Sequence, residues 1–158
     1  MPESPWLSST DQRTWRRWLQ LNALLPGVLH RELQADAGLS LPDFDVLVRL
    51  TDSPEGRVRV TDLARGLHWE RSRVSHHITR MERRGLIKRE ECSDDGRGAW
   101  VVLTGEGRAA IERAAPAHVE TVRRLVFEAL TREETEVLST VIEKVLARLE
   151  EDAAAAPA

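Results

Sequence analysis

The sequence predicts a mainly α-helical chain with one small β-hairpin, and three observations support this fold class. Apolar residues recur at three- and four-residue steps over most of the chain, as they do along one face of a helix. The alternation of apolar and polar residues that is typical of strands is confined to short segments near the middle. The chain has 158 residues, 41% of them hydrophobic, which is enough to bury one sizeable core.

Two helices are predicted in the first third of the chain. The first covers residues 10–37, where an apolar stripe runs from Trp15 to Leu33. Because proline lacks the backbone N–H and its ring clashes with the preceding turn, we expect Pro26 to kink this helix or to split it in two. A shorter helix is predicted to begin at Leu41 and to end before the turn at residues 52–56.

The middle of the chain predicts a strand, two helices and a hairpin, in that order. Residues 57–60 alternate as a short strand would, and Thr61-Asp62 offers a cap for the next helix. After a break at residues 68–70, a second helix is expected from about Arg71 to Arg84. Residues 86–91 and 99–103 then resemble two strands joined by a polar loop.

The last third of the chain, residues 105–151, predicts helices, with Thr131 and Glu134 forming a capping box. Both ends of the chain are rich in apolar helix faces, whereas the middle can bury its own core, so an interface between subunits is favoured. We therefore expect one domain over residues 10–151. Its parts are a flexible N-terminus (1–9), dimerisation helices (10–37 and 105–151), a central lobe (40–104) and a frayed tail (152–158).

Charge is distributed unevenly along the chain. The formal net charge is −3, which by itself argues against nucleic-acid binding. Residues 57–97, however, hold 11 basic and 7 acidic residues, and both flanking segments are acidic. Since an electrostatic footprint is local, the basic middle segment is a candidate surface for a polyanion.

The predicted order of helix, break, helix and two-stranded hairpin is that of a winged helix-turn-helix, a mainly α (α+β) fold. In this arrangement the second helix enters the major groove of DNA with its non-core side. Here the core side carries Val74, Ile78 and Met81 at helical spacing. The other side carries residues able to donate hydrogen bonds to bases or phosphates. These candidate DNA contacts are Arg71, Ser72, Arg73, Ser75, His76, His77, Thr79 and Arg80.

The chain also resembles the MarR family of bacterial regulators, over nearly its whole length from Trp15 to Leu149. The matching blocks are Leu63-Ala64-Arg65-Gly66-Leu67, Arg71-Ser72-Arg73-Val74-Ser75, Met81-Glu82-Arg83-Arg84-Gly85-Leu86-Ile87-Lys88-Arg89, Asp95, Arg97, and Leu103-Thr104-Gly105-Glu106-Gly107. The resemblance implies a triangular homodimer with intertwined terminal helices, bound to a pseudopalindromic operator in double-stranded DNA. It also implies a repressor that is often released by a small molecule held between the two regions.

The resemblance further assigns a role to the loop of the hairpin, the wing. Arg97 matches the arginine that the family inserts into the minor groove, and Asp95 matches the acidic residue near it. Two positions depart from the family pattern. His76 stands where the family usually has arginine, and Gly96 replaces a second wing arginine, so the preferred operator cannot be copied from relatives.

Several residues allow other interpretations. Trp15, Trp18, Trp69 and Trp100 could line a pocket for a small aromatic ligand, or could simply pack in a dimer core. Cys92, at the root of the wing, could make the regulator redox-responsive or could be a packed small hydrophobe. The basic helix could instead serve a winged-helix module for protein–protein interaction, with an acidic partner in place of DNA.

The sequence argues against other classes of protein. It has no glycine-rich phosphate loop, no nucleophile elbow and no metal-ligand spacing among His30, His68 and His118. The adjacent His76 and His77 point about 100° apart on a helix and are poorly placed to hold one metal ion. We therefore expect neither an enzyme nor a bound cofactor or metal. With no apolar run of membrane-spanning length and no signal peptide, a cytoplasmic protein is expected.

Overall fold

The computed structural model describes residues 6–91 and 98–155. The chain divides into two compact units, residues 1–118 and 119–158, a boundary that the sequence did not suggest. The elements of the described residues are α1 (Ser9–Ala37), α2 (Leu41–Thr51), β1 (Arg57–Arg59), α3 (Val60–Leu67), α4 (Arg71–Arg83), β2 (Ile87–Glu91), β3 (Ala99–Leu103), α5 (Gly105–Leu125), a 3-10 helix (Phe127–Ala129) and α6 (Arg132–Ala155). The prediction of a mainly α-helical fold with a small β element is confirmed.

Helix α1 is a single helix of 29 residues with Pro26 inside it, so of the two expected outcomes, a kink or a split, the split is wrong. Proline removes one hydrogen bond of the ladder, and the bonds on both sides continue the helix. The helix begins with a cap, because the Ser8 hydroxyl accepts a hydrogen bond from the Asp11 amide. It ends at Gly38, whose φ of 64° is the left-handed conformation that closes many helices.

Helix α2 begins with a complete capping box. The Asp43 amide donates to the Ser40 hydroxyl at 3.1 Å, and the Ser40 amide donates to the Asp43 carboxylate at 2.9 Å. Two of the free amides at the start of the helix are thereby satisfied. The side chains of Val46, Leu47 and Leu50 are fully buried and anchor α2 in the core.

The sheet has three antiparallel strands in the order β1-β3-β2, so the predicted short strand joins the hairpin. Val58 lies opposite Val101, and Arg59 lies opposite Trp100. Because side chains alternate along a strand, the valine pair and the Arg59–Trp100 pair lie on opposite faces of the sheet. Helix α3 begins at Val60, directly after β1 and without a side-chain cap, which corrects the expected start after Thr61-Asp62.

The predicted break between the two helices of the helix-turn-helix is confirmed at residues 68–70. His68 adopts a φ of 52°, and its amide donates to carbonyls in the last turn of α3. Helix α4 follows at Arg71 and is closed by Gly85, whose φ is 74°. Its buried residues include Val74, Ile78 and Met81, as the helical spacing predicted.

The junction between the hairpin and α5 is tightly packed. The Thr104 hydroxyl lies 2.7 Å from the Gly85 carbonyl oxygen and 2.9 Å from that of Leu86, and it accepts from the Gly107 amide at 3.0 Å. A Cβ atom on Gly107 would lie 2.0 Å from the Leu86 carbonyl oxygen. Only glycine therefore fits at position 107 in this backbone arrangement.

The main hydrophobic core lies within residues 1–118. Its buried members come from α1 to α5 and the sheet: Leu33, Leu39, Phe44, Val46, Leu47, Leu50, Leu63, Ala64, Val74, Ile78, Met81, Leu86, Ile87, Val101, Ala110, Ile111 and Ala114. This core joins α4 to the rest of the lobe. The helix-turn-helix is consequently held as one packed body.

The unit of residues 119–158 contains the end of α5, the 3-10 helix and α6. The predicted capping box is confirmed, since the Thr131 amide donates to Glu134 at 2.8 Å and the Glu134 amide donates to Thr131 at 3.2 Å. Helix α6 continues to Ala155, beyond residue 152 where we expected the tail to fray. None of the α6 side chains is buried.

Candidate nucleic-acid interface

The exposed side of α4 carries most of the predicted DNA contacts. Arg71, Ser72, Arg73, Ser75, His76 and Arg80 are exposed, and Thr79 is half-buried. At about 100° per residue, Ser72, His76 and Thr79 lie opposite the buried stripe, whereas Arg73 and Arg80 share one flank of the helix. The helix thus presents hydroxyl, imidazole and guanidinium groups along a single accessible side.

His77 is the exception, and the prediction that it faces DNA is wrong. Only 5% of this residue is exposed. It lies three residues after Val74 and four before Met81, so it belongs to the buried stripe of the helix. Helical spacing could have shown this, whereas the polar character of histidine suggested the opposite.

Trp69, in the turn before α4, contacts two side chains of that helix. The Arg73 guanidinium lies 4.2 Å from the centre of the Trp69 ring, a cation–π contact. The His77 ring meets the Trp69 ring edge-on, with centroids 5.4 Å apart at 86°. The half-buried tryptophan therefore restricts where Arg73 can point.

A buried carboxylate joins α4 to the start of α2, a pairing that no local sequence pattern indicates. Asp43 is 3% exposed, and one of its oxygens lies 2.6 Å from Arg84 Nη1. Arg84 also donates to the Gly38 carbonyl at 2.7 Å. Burial would raise the pKa of the Asp43 carboxyl, but polar contacts with His77, Ser40 and Arg84 together outweigh burial and hold that pKa far below its usual range.

The base of the wing carries a stacked basic cluster. The guanidinium carbons of Arg57 and Arg59 lie 4.7 and 5.1 Å from the centre of the Trp100 ring. On the neighbouring strand, Lys88 pairs with Glu90 at 2.7 Å. The predicted wing contacts Asp95 and Arg97, together with Cys92 and Gly96, lie outside the described residues.

The four tryptophans predicted to line a ligand pocket lie on three different elements or turns. Trp15 and Trp18 are on α1, 52% and 38% exposed, while Trp69 and Trp100 have the arginine neighbours described above. A cavity of about 460 Å³ is instead formed by α2, α3 and α5. It is lined by Phe44, Asp45, Val48, Arg49, Asp52, Gly66, Leu67 and His118.

Aromatic and charged groups meet in this cavity. The rings of Phe44 and His118 are 4.4 Å apart at 39°. Burial lowers the pKa of the His118 imidazole and outweighs the charge of Asp45, which acts to raise it. Burial also raises the pKa of the Asp45 carboxyl, because it disfavours the charged form of both groups. The lining therefore combines an aromatic wall with Arg49 and two carboxylates, a composition suited to a small ligand with a ring and a polar group.

Residues 6–91 and 98–155 contain neither a group of metal-ligating side chains nor a membrane-spanning helix. No three histidine, cysteine, aspartate or glutamate side chains there are grouped as metal ligands would be. No helix among those residues has the length and apolar character needed to cross a bilayer.

This chain is similar, in sequence and in structure, to known regulators of transcription. The model of the MarR family matches residues 37–98. The structure is similar to that of AbsC, a MarR family regulator from Streptomyces coelicolor, with a TM-score of 0.89 and 38% identity over 94% of this chain and 99% of that one.

Two further relatives connect the fold with DNA and with repression. Sco3205, a MarR family regulator from Streptomyces coelicolor solved in complex with DNA, is 40% identical over 91% of this chain and 94% of its own, with a TM-score of 0.88. The repressor YetL of Bacillus subtilis is 27% identical over 73% of this chain and 68% of its own. On this fold, this interface and these relatives, the chain belongs to the MarR family of transcriptional regulators.

Proposed function

We propose that this regulator is a homodimeric repressor that binds a pseudopalindromic operator with α4 in the major groove and Arg97 in the minor groove. It acts in the cytoplasm by binding and not by catalysis. The observation that carries the proposal is the exposed side of α4, where seven of the eight predicted contact residues are accessible to a partner. The wing role of Arg97 rests on the family resemblance alone.

Apolar surface supports the dimer. On α1, Trp15, Leu21 and Leu24 are each more than half exposed, and on α6 the same is true of Val137 and Leu149. Soluble proteins seldom leave such apolar stripes in water, and helices that carry them usually pack against another copy. A two-fold axis would then place two α4 helices about 34 Å apart, one turn of DNA.

The cavity supports release by a small aromatic ligand. Its volume of about 460 Å³ lies in the usual range for ligand sites, and a ring could stack against Phe44 while Arg49 meets an acidic substituent. Thermal unfolding of the purified protein with a panel of aromatic acids tests this step. A raised midpoint together with loss of DNA binding supports release, and a panel without effect on either contradicts it.

Selection from random duplex DNA tests the main proposal. A pool enriched in two half-sites about one turn apart supports the dimeric groove reader. We expect Arg97→Ala to weaken binding to all sequences, and Ser75→Ala or His76→Ala to change which sequences are bound. Equal losses for all sequences in every variant would contradict these roles.

Salt dependence and competition by random duplex DNA distinguish a DNA-binding regulator from the alternative, a protein–protein interaction module. Binding that neutralises several phosphates weakens steeply with salt and is competed by random duplex DNA. Binding of an acidic protein at another surface would ignore competitor DNA. A transcription assay with the selected operator then decides the sign of regulation, and activation in place of repression would refute the repressor role.

A further inference from the structure

His77 is a buried histidine on a helix whose other polar residues are accessible. Its Nδ1 atom lies 2.9 Å from Nη2 of Arg80, one turn further along α4. Its Nε2 atom lies 3.1 Å from Oδ1 of Asp43, on α2. The second contact is electrostatic, because the geometry at Nε2 falls short of a hydrogen bond. The imidazole thus lies between a fixed anion and a flexible cation.

The contact with Arg80 determines the protonation of the ring. A guanidinium group can only donate hydrogen bonds, so His77 Nδ1 must accept and carries no proton. The ring proton is then on Nε2, a nitrogen that lies 3.1 Å from a carboxylate oxygen of Asp43. A ring protonated on both nitrogens would direct an N–H at Arg80, which cannot accept it.

Neighbouring groups hold the ring in this orientation. Asp43 is itself fixed by the Ser40 amide at 2.9 Å and by Arg84 at 2.6 Å. The edge-on contact with Trp69 restricts rotation of the imidazole from another side. The acceptor that His77 offers to Arg80 is therefore held by the α2 cap and by the turn before α4.

We propose that His77 is a positioning residue that holds the exposed Arg80 on the flank of α4 for contact with a DNA phosphate. The inference rests on the proposed function, because it needs α4 to lie in the groove. A free arginine side chain samples many rotamers, whereas one whose guanidinium is already held by an acceptor loses less freedom on binding. His77 acts through Arg80 and does not touch DNA itself.

Asparagine and leucine at position 77 form a matched pair of variants. Both branch at Cγ and have similar size, but only asparagine can place an oxygen near the position of Nδ1. The probe is a labelled duplex of random sequence, since a phosphate contact does not depend on base identity. Affinity is measured at several salt concentrations for wild type, His77→Asn, His77→Leu, Arg80→Gln and the double variant His77→Leu/Arg80→Gln.

We expect His77→Leu and Arg80→Gln each to weaken binding by about threefold to tenfold. Each should also make the negative slope of log affinity against log salt shallower by about one, because one phosphate contact is lost. His77→Asn should retain most of the affinity, and the double variant should bind as Arg80→Gln alone does. Thermal unfolding of each variant shows that the chain is folded at the assay temperature. If both His77 variants lose the same stability, that loss cannot account for a difference in their affinity for DNA.

Additive losses in the double variant would overturn the inference, as would wild-type affinity and slope for His77→Leu. Nitrogen NMR of the His77 ring gives a second test without DNA, with protonation on Nε2 expected and protonation on Nδ1 contradicting it. A wild-type chain that binds no duplex would refute the proposed function and the phosphate contact together. The ring measurement would still decide whether His77 accepts from Arg80.

Discussion

Substitution of Gly107 by alanine should destabilise the fold through a single added carbon. The new Cβ would lie 2.0 Å from the Leu86 carbonyl oxygen and 2.9 Å from Leu103 Cδ1. The leucine side chain can rotate away, but the carbonyl belongs to the backbone and accepts from the Thr104 amide at 3.3 Å and from its hydroxyl at 2.9 Å. Backbone must therefore shift at the point where α5 meets the hairpin.

The size of the effect follows from that distance. Overpacking of a filled interior costs about 1–3 kcal/mol, and a weakened hydrogen bond adds about 1 kcal/mol. The lower flexibility of alanine in the unfolded chain offsets about 0.5–1 kcal/mol. We expect a net loss of about 2–3 kcal/mol in the free energy of unfolding, which lowers the melting midpoint by about 4–12 °C for a chain of this size.

Thermal unfolding followed by circular dichroism measures this loss, with Gly105→Ala as the matched control. Gly105 is the first residue of α5, two positions away, and no atom lies within 4 Å of its Cβ position. Alanine there should leave the midpoint unchanged or raise it slightly. If Gly107→Ala has the melting midpoint of the wild type, or if both variants lose the same stability, the short distance between the added Cβ and the Leu86 carbonyl oxygen does not decide stability.

Three further predictions concern the carboxylate, the tryptophan and the exposed helix. The pKa of the Asp43 carboxyl lies below its unfolded value of about 3.9, so its stabilisation is present above about pH 4 and is lost as pH falls. Asp43→Asn should cost about 1.5–3 kcal/mol at neutral pH, because hydrogen bonds to a charged carboxylate are lost, and should flatten the acid limb in denaturant titrations; an unchanged limb would contradict this assignment. Trp69→Leu should weaken binding of random duplex by about threefold, and Trp69→Phe should retain it, because phenylalanine keeps a ring face for Arg73; equal affinities would show that the stacking is unimportant. Val145→Glu on α6 should give monomers in light scattering, whereas Ala147→Glu, on the opposite exposed side of the helix, should remain dimeric, and dimers in both would exclude this face from the interface.

Local patterns were enough to predict most of the elements. Helix α4 follows from Val74, Ile78 and Met81, and its end follows from Gly85, because both signals act within one or two turns. The capping box of Thr131 and Glu134 is confirmed for the same reason. Neighbours three or four residues apart are the interactions that a sequence displays directly.

Interactions between distant segments were not predictable. Asp43 and Arg84 are 41 positions apart, and nothing in either segment indicates the partner. The tryptophans were grouped because they share a residue type, but Trp100 lies among the arginines of β1 while Trp69 lies beside α4. Tertiary packing decides such neighbours, and their side chains can be assigned only once the backbone is known.

The Asp43 carboxylate has a mechanical consequence for how the regulator could be switched. Through Ser40 and Arg84, and through the bond from Arg84 to Gly38, it joins the end of α1, the start of α2 and the end of α4. Three segments joined through one buried carboxylate move together, so bending α4 on its own would separate Asp43 from the half-exposed Arg84. We expect an effector to act on this lobe as on a rigid lever, changing the spacing of two lobes on DNA and leaving the shape of each reading helix unchanged.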